Sequence, residues 1–120
     1  MSEVAWEDQK KINEFSKLNT QLSQHEQALK NLAQDKELID DVSLELELVD
    51  EDELVPYKIG DALVSLPQRE VMERLEREHE ELDEKISKRQ ADADACSERM
   101  TELKSQLYAK FGKSINLERD

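Results

Sequence analysis

The chain has a single cysteine, Cys96, and only two glycines, two prolines, one tryptophan, two tyrosines and two phenylalanines among its 120 residues. A lone cysteine excludes an internal disulfide and suits a reducing compartment. Its place on an apolar stripe marks it as a small core side chain. Two widely separated glycines exclude a Gly-rich phosphate loop. No apolar run approaches the ~20 residues that a bilayer-crossing helix needs. The opening residues, MSEVAWEDQK, are acidic and lack the basic and apolar regions of a secretory signal. A cytoplasmic protein is therefore expected. Basic residues are also scarce: 17 Lys and Arg face 30 Asp and Glu, for a net charge of -13. Such a surface repels phosphate backbones and anionic headgroups, so neither nucleic acid nor membrane is an expected partner.

What is present is helix-forming. Charged residues make up 39% of the chain and hydrophobic ones 37%, enough for a seam between long helices but not for a thick core. Residues 1–120 read as one domain. From Met1 to Leu54 there is no proline or glycine, and Phe15, Leu18, Leu22, Leu29, Leu32 and Ile39 recur at a/d heptad spacing, interrupted by His25 and Lys36. The run Val42-Ser43-Leu44-Glu45-Leu46-Glu47-Leu48 alternates with period two. The absence of a breaker and the helix tolerance of Leu, Glu and Ser nevertheless predict helix over about 5–49.

A second seam follows, from Met72, Leu75, Leu82, Ile86, Ala93, Cys96, Met100, Leu103 and Leu107, interrupted by His79, Arg89 and Lys110. It predicts helix over about 67–111. Pro67 suits its first turn, Ser65 and Gln68 have the spacing of a capping box, and Gly112 suits the C′ position ahead of a tail at 112–120. Two helices of about 45 residues, each ~65 Å long, should fold back as a long antiparallel two-helix coiled coil. Nearly equal lengths pair Leu22 with Cys96, Leu18 with Met100 and Leu32 with Ile86. A shift of one heptad is the alternative.

Between the helices, VPYKIGDALVSLP holds both prolines and one of the glycines. Gly60-Asp61 is a two-residue turn with glycine first, the type II′ signature, and predicts one central β-hairpin over about 54–66. Val55, Tyr57 and Ile59 share a face with Ala62, Val64 and Leu66, while Lys58, Leu63 and Ser65 point the other way. Pro56 has no N–H, so that side of its strand should turn away from any ladder. An isolated hairpin is marginal in water. Its apolar face calls for strands from other subunits, unless the hairpin merely links the helices.

No catalytic constellation emerges. His79-Glu80-Glu81-Leu82-Asp83 begins like the zinc-protease helix motif but carries Asp83 where the second histidine belongs. His25 has no cysteine or carboxylate arranged around it. The acidic run Asp50-Glu51-Asp52-Glu53 lacks the spacing and glycine of a calcium loop. Neither an enzyme nor a metal site is expected.

Three segments go further: EDQKKINEFSKLN at 7–19, VPYKIGDALV at 55–64 and LYAKFGKSINLE at 107–118. With the helix–hairpin–helix plan, they make the chain resemble the β-type prefoldin subunit family over nearly its whole length. The resemblance implies one subunit of an ATP-independent, cofactor-free heterohexamer of two α-type and four β-type prefoldin subunits. In that family the hairpins join in an intersubunit β-barrel, and coiled-coil tips hold unfolded proteins such as actin and tubulin before transfer to the group II chaperonin. Two residues depart from the pattern: Ala5 stands where a capping hydroxyl is common, and Ala62 where a bulkier strand residue is usual. A structural coiled-coil tether without clients is the competing reading.

Antiparallel helices bring the two chain ends together at one tip. Val4, Trp6, Ile12, Tyr108, Phe111, Ile115 and Leu117 are not held by the heptads and are expected to present an apolar client-binding surface there. Phe15 faces the seam by spacing.

Overall fold

Long stretches free of proline and glycine sustain uninterrupted helix. In the computed structural model, which describes residues 5–112 and Leu117, they form α1 (Trp6–Leu46) and α2 (Gln68–Phe111), joined through β1 (Leu54–Ile59) and β2 (Ala62–Pro67). The fold is mainly α, two long helices with one antiparallel hairpin between them. No described helix is long and apolar enough to cross a membrane.

α1 ends at Leu46, short of the expected Val49, because its last turn tightens: the amides of Leu48 and Val49 donate to the carbonyls of Glu45 and Leu46, three residues back. The side chain of Gln68 completes this end, its Nε2 donating to the Leu46 carbonyl at 2.8 Å. The expected capping box is therefore not made. The first amides of α2 are met by backbone instead, Gln68 by the Glu53 carbonyl and Arg69 by that of Glu51. The acidic turn thus caps the second helix.

At the start of α1, the Ala5 carbonyl accepts the first helical bond, from Gln9. Ala5 offers no side-chain oxygen to the first turn, and Glu7 and Asp8 supply the negative charge that a helix N-terminus favours. At the end of α2, Gly112 takes φ 59°, the left-handed conformation of a C′ residue.

The hairpin pairs Val55 with Leu66, Tyr57 with Val64 and Ile59 with Ala62. Gly60 has φ 59° and no non-glycine residue among those described, Asp61 included, has positive φ, the signature of the type II′ turn. A two-residue turn makes those three pairs the hydrogen-bonded ones. The backbone of Leu54, Pro56, Lys58, Leu63, Ser65 and Pro67 then points to the outer edges, so neither proline removes a bond from the ladder.

Packing divides the chain into two units: a terminal unit, Met1–Leu29 with Lys88–Asp120, and a hairpin unit, Lys30–Ser87. Within the terminal unit the helix segments run antiparallel and bury Phe15, Leu22, Ala93, Cys96, Met100, Leu103 and Leu107, with Leu18 and Leu29 packed against them. Leu103 and Leu107 are 0% and 1% exposed. Cys96 lies opposite Leu18, Gln21 and His25, the register of similar helix lengths and not the heptad-shifted one.

Within the hairpin unit the segments are again antiparallel, but only Val71 and Leu75 are fully buried apolar residues. Leu32, Ile39, Met72, Leu82 and Ile86 are half-buried. Val71 lies outside the expected seam; it falls one turn into α2, close behind the hairpin.

Candidate functional site

The polar interruptions of the heptads are partnered. In the terminal unit, His25 Nδ1 lies 3.3 Å from an Arg89 nitrogen, Lys110 pairs with the buried Asp8, and Arg99 grips both carboxylate oxygens of Glu14 at 2.7 and 3.0 Å. The Arg99 hydrogen bonds hold the Glu14 carboxyl below the usual glutamate range and push the guanidinium pKa up. In the hairpin unit, Lys36 pairs with Asp83 at 2.6 Å, and His79 lies 3.2 Å from Asp40 and 3.4 Å from Asp83. The Lys36–Asp83 hydrogen bond raises the lysine pKa and lowers the aspartate's. Asp83 thus serves a cross-helix ion pair. Among the described residues no group of three or more His, Cys, Asp or Glu is arranged to hold a metal. Polar pairs inside a seam penalise every register but one, so their use here is alignment.

The hairpin presents two unlike faces. Tyr57 turns toward α2, its hydroxyl donating to Glu78 Oε1 at 2.6 Å and its ring lying under Arg74, 5.7 Å from the centroid. The bond to Glu78 raises the phenol pKa. Val55, Val64 and Leu66 are half-buried with it, while Ile59, Gly60, Asp61 and Ala62 at the turn are exposed. The apolar face is thus covered in part by its own chain, because it folds back onto the helix it feeds.

The other face and the neighbouring end of α1 are where apolar surface is left open. Leu54 and Leu63 on that face, Leu38, Val42 and Leu44 on α1 and Leu48 just past it are exposed, Leu63 at 72% and Leu48 at 91%; Ile59, at the turn end of the first face, is exposed as well. No third strand pairs with either edge of the two-stranded sheet among the described residues. Sequence reasoning singled out Ile59 but missed the other exposed residues, although the signal was present. Alternate residues lie ~200° apart around a helix, so a period-two run read as helix cannot turn all its leucines to one partner. Of the four apolar residues of the Val42–Leu48 run, only Leu46 is half-buried; Val42 and Leu44 face outward from α1, and Leu48 lies just past its end.

The expected client-binding surface is arranged differently. Val4 and Ile115 lie outside the described residues. Trp6 is 67% exposed, with Lys10 Nζ 5.2 Å from its ring centroid. Ile12, Tyr108 and Phe111 pack against the core, and Leu117 is part of that core at 7% exposure. The heptads alone leave these residues unassigned; the structure folds most of them inward because Phe15, Leu22 and Met100 offer apolar surface beside them.

The chain is thus a helix–hairpin–helix protein whose two-stranded sheet carries exposed apolar residues. The family profile described as "Prefoldin subunit" matches residues 9–114. Prefoldin subunit 4 of Saccharomyces cerevisiae is 48% identical over 98% of this chain and 92% of that protein, and its counterpart in Homo sapiens is 35% identical over 98% and 88%. The crystal structure of the prefoldin beta subunit from Thermococcus strain KS-1 superposes with a TM-score of 0.82 at 16% identity, covering 91% of this chain and 96% of that one. The chain belongs to the prefoldin subunit family. Membership carries a chaperone-type role within a prefoldin complex and assembly with other prefoldin subunits.

Proposed function

We propose that this chain is a β-type subunit of a cytoplasmic heterohexamer of two α-type and four β-type subunits, and that its hairpin is completed by neighbours in an intersubunit β-barrel. The observation that carries the reading is the two-stranded sheet with unpaired edges beside exposed Leu54, Ile59 and Leu63. Edge donors remain on Leu54, Lys58, Leu63 and Ser65, and a partner strand satisfies them while burying the leucines. The assembled complex holds unfolded proteins such as actin and tubulin on apolar tips, without nucleotide or catalytic chemistry, and passes them to the group II chaperonin. Apolar capture reads no sequence, as a holder of many unfolded chains requires. Several tips on one platform add avidity.

A coiled-coil scaffold that holds no client is the second reading, favoured by the inward packing of Ile12, Tyr108, Phe111 and Leu117. Two measurements separate them. Ile59→Asp with Leu63→Asp should leave the helical signal of the isolated chain intact and abolish its incorporation when mixed with the other subunits. An intact hexamer from this variant removes the assembly reading. Suppression of denatured-actin aggregation by the wild-type hexamer, but not by one whose chain carries Trp6→Ser, Tyr108→Ser and Phe111→Ser, supports client holding. Equal suppression by both hexamers leaves this chain as scaffold.

A further inference from the structure

The last turns of α1 carry an apolar ridge that the chain does not cover. Leu38 and Val42 stand one turn apart on the same flank, both exposed. Asp35 lies between this ridge and the seam, and Glu37, Asp41 and Glu45 form the next ridge outward, all of them exposed. The acids that face across the seam are answered within the chain, Asp40 by His79 and Asp83 by Lys36. Asp35, Glu37, Asp41 and Glu45 take no part in those pairs, and from Asp35 to Glu53 Lys36 is the only base. Gln68 Nε2 holds the Leu46 carbonyl at 2.8 Å, so the ridge ends beside the base of the hairpin.

We propose that the Leu38–Val42 ridge docks a helix of a neighbouring prefoldin subunit whose apolar residues are bordered by Lys or Arg. The proposal rests on the assembly reading above and adds to it a second contact, helix on helix beside strand on strand. A helix closes its backbone bonds within itself and offers no edge to a further strand, so α1 is met by side chains packed ridge into groove. A neighbour of the same plan brings such a helix with its hairpin, as Pro67 at the end of β2 passes straight into Gln68 at the start of α2. Charge then sets which neighbour fits. Carboxylates around two apolar side chains attract a basic rim and repel an acidic one. A second copy of this chain, with a net charge of -13 and the same acidic ridge, is disfavoured there. The apolar pair supplies contact and the carboxylates supply the choice of subunit.

The test uses the complex assembled from this chain and the other subunits, with photoreactive benzoylphenylalanine in place of Val42 or, on the hairpin, of Leu63. Position 42 should crosslink to a helix of a different subunit, with Lys or Arg within one turn of the attached residue, and position 63 to a neighbour as well. Asp41→Lys with Glu45→Lys should weaken incorporation by about ten-fold at low salt, and the defect should narrow as salt rises. Lysine suits the last turns of a helix, so circular dichroism of the isolated variant should match wild type. Glu80→Lys with Glu84→Lys, at exposed positions of α2, changes the net charge equally and should weaken incorporation by less than about two-fold. Equal loss from both reversals assigns the effect to net charge and overturns the proposal, as does undiminished incorporation of the Asp41→Lys, Glu45→Lys chain. A crosslink from 42 to a second copy of this chain, to a strand or to a helix without a nearby base also overturns it, and so does no crosslink from 42 while 63 still crosslinks. Absence of crosslinks at both positions overturns the assembly reading and the proposal together.

Discussion

The terminal unit and the hairpin unit draw on the same two helices and place their leucines in opposite ways. In the terminal unit, Phe15, Leu22, Met100, Leu103 and Leu107 meet across the seam, and Trp6 is its one exposed large apolar residue among those described. In the hairpin unit, Lys36, Asp40, His79 and Asp83 occupy or flank the interface, and Leu38, Val42, Leu44, Leu48, Leu54, Ile59 and Leu63 stand in solvent. One region buries its apolar residues against each other, and the other leaves them exposed. Exposed apolar side chains in such number are what the proposed assembly reading assigns to neighbouring subunits.

The comparison breaks first if truncating the two regions gives similar effects. Leu103→Ala should cost the isolated chain about 2–5 kcal/mol by removing a fully buried side chain, whereas Leu44→Ala or Leu48→Ala should stay within about 0.5 kcal/mol. Chemical unfolding followed by circular dichroism measures both, and a large loss at Leu48 would show that the patch is already packed within the chain. The glycines come next. Gly60→Ala and Gly112→Ala meet no atom within 4 Å of the added Cβ, so each should lose only the left-handed backbone penalty, about 1–2 kcal/mol. Loss of hexamer should follow the first substitution and not the second.

Two titrations sharpen the comparison at smaller scale. The Tyr57 phenol is held protonated by Glu78. Its stabilisation is therefore complete below the ordinary tyrosine pKa of about 10 and lost as pH rises through the higher folded value. Ultraviolet titration should show one tyrosine ionising late, and Tyr57→Phe should remove that phase. Glu14 in the terminal unit has the opposite sign. Its carboxyl is held ionised, so the Arg99 pair contributes fully above about pH 4.5 and fades as pH falls through the lowered folded pKa. The difference in unfolding midpoint between wild type and Glu14→Gln should shrink in acid. A difference that persists at low pH would place the effect of Glu14 in packing.

Much of this was legible in sequence because it depends on neighbours along the chain. Heptad spacing assigned the seam, the Gly60-Asp61 pair assigned the turn, and Gly112 marked the end of α2. The cap of α2 was read wrongly because two arrangements compete for Gln68. Its spacing from Ser65 is right for a local box, but the Leu46 carbonyl at the end of α1, distant in sequence, takes its side chain. The expected apolar tip fared similarly. Leu117 has no periodicity to locate it, and its burial follows from a core made by residues of both helices.

By itself the sequence determined the elements, their order and the need for partners. Each follows from backbone preference, side-chain period or composition, which act within a few residues. Tertiary structure alone decided which leucines were left exposed and which were buried within the chain. That choice turns on the angle at which each residue leaves its helix and on what the opposite segment offers there. It is a property of pairs far apart in sequence: Glu14 with Arg99, Tyr57 with Glu78, and Leu117 with Phe15.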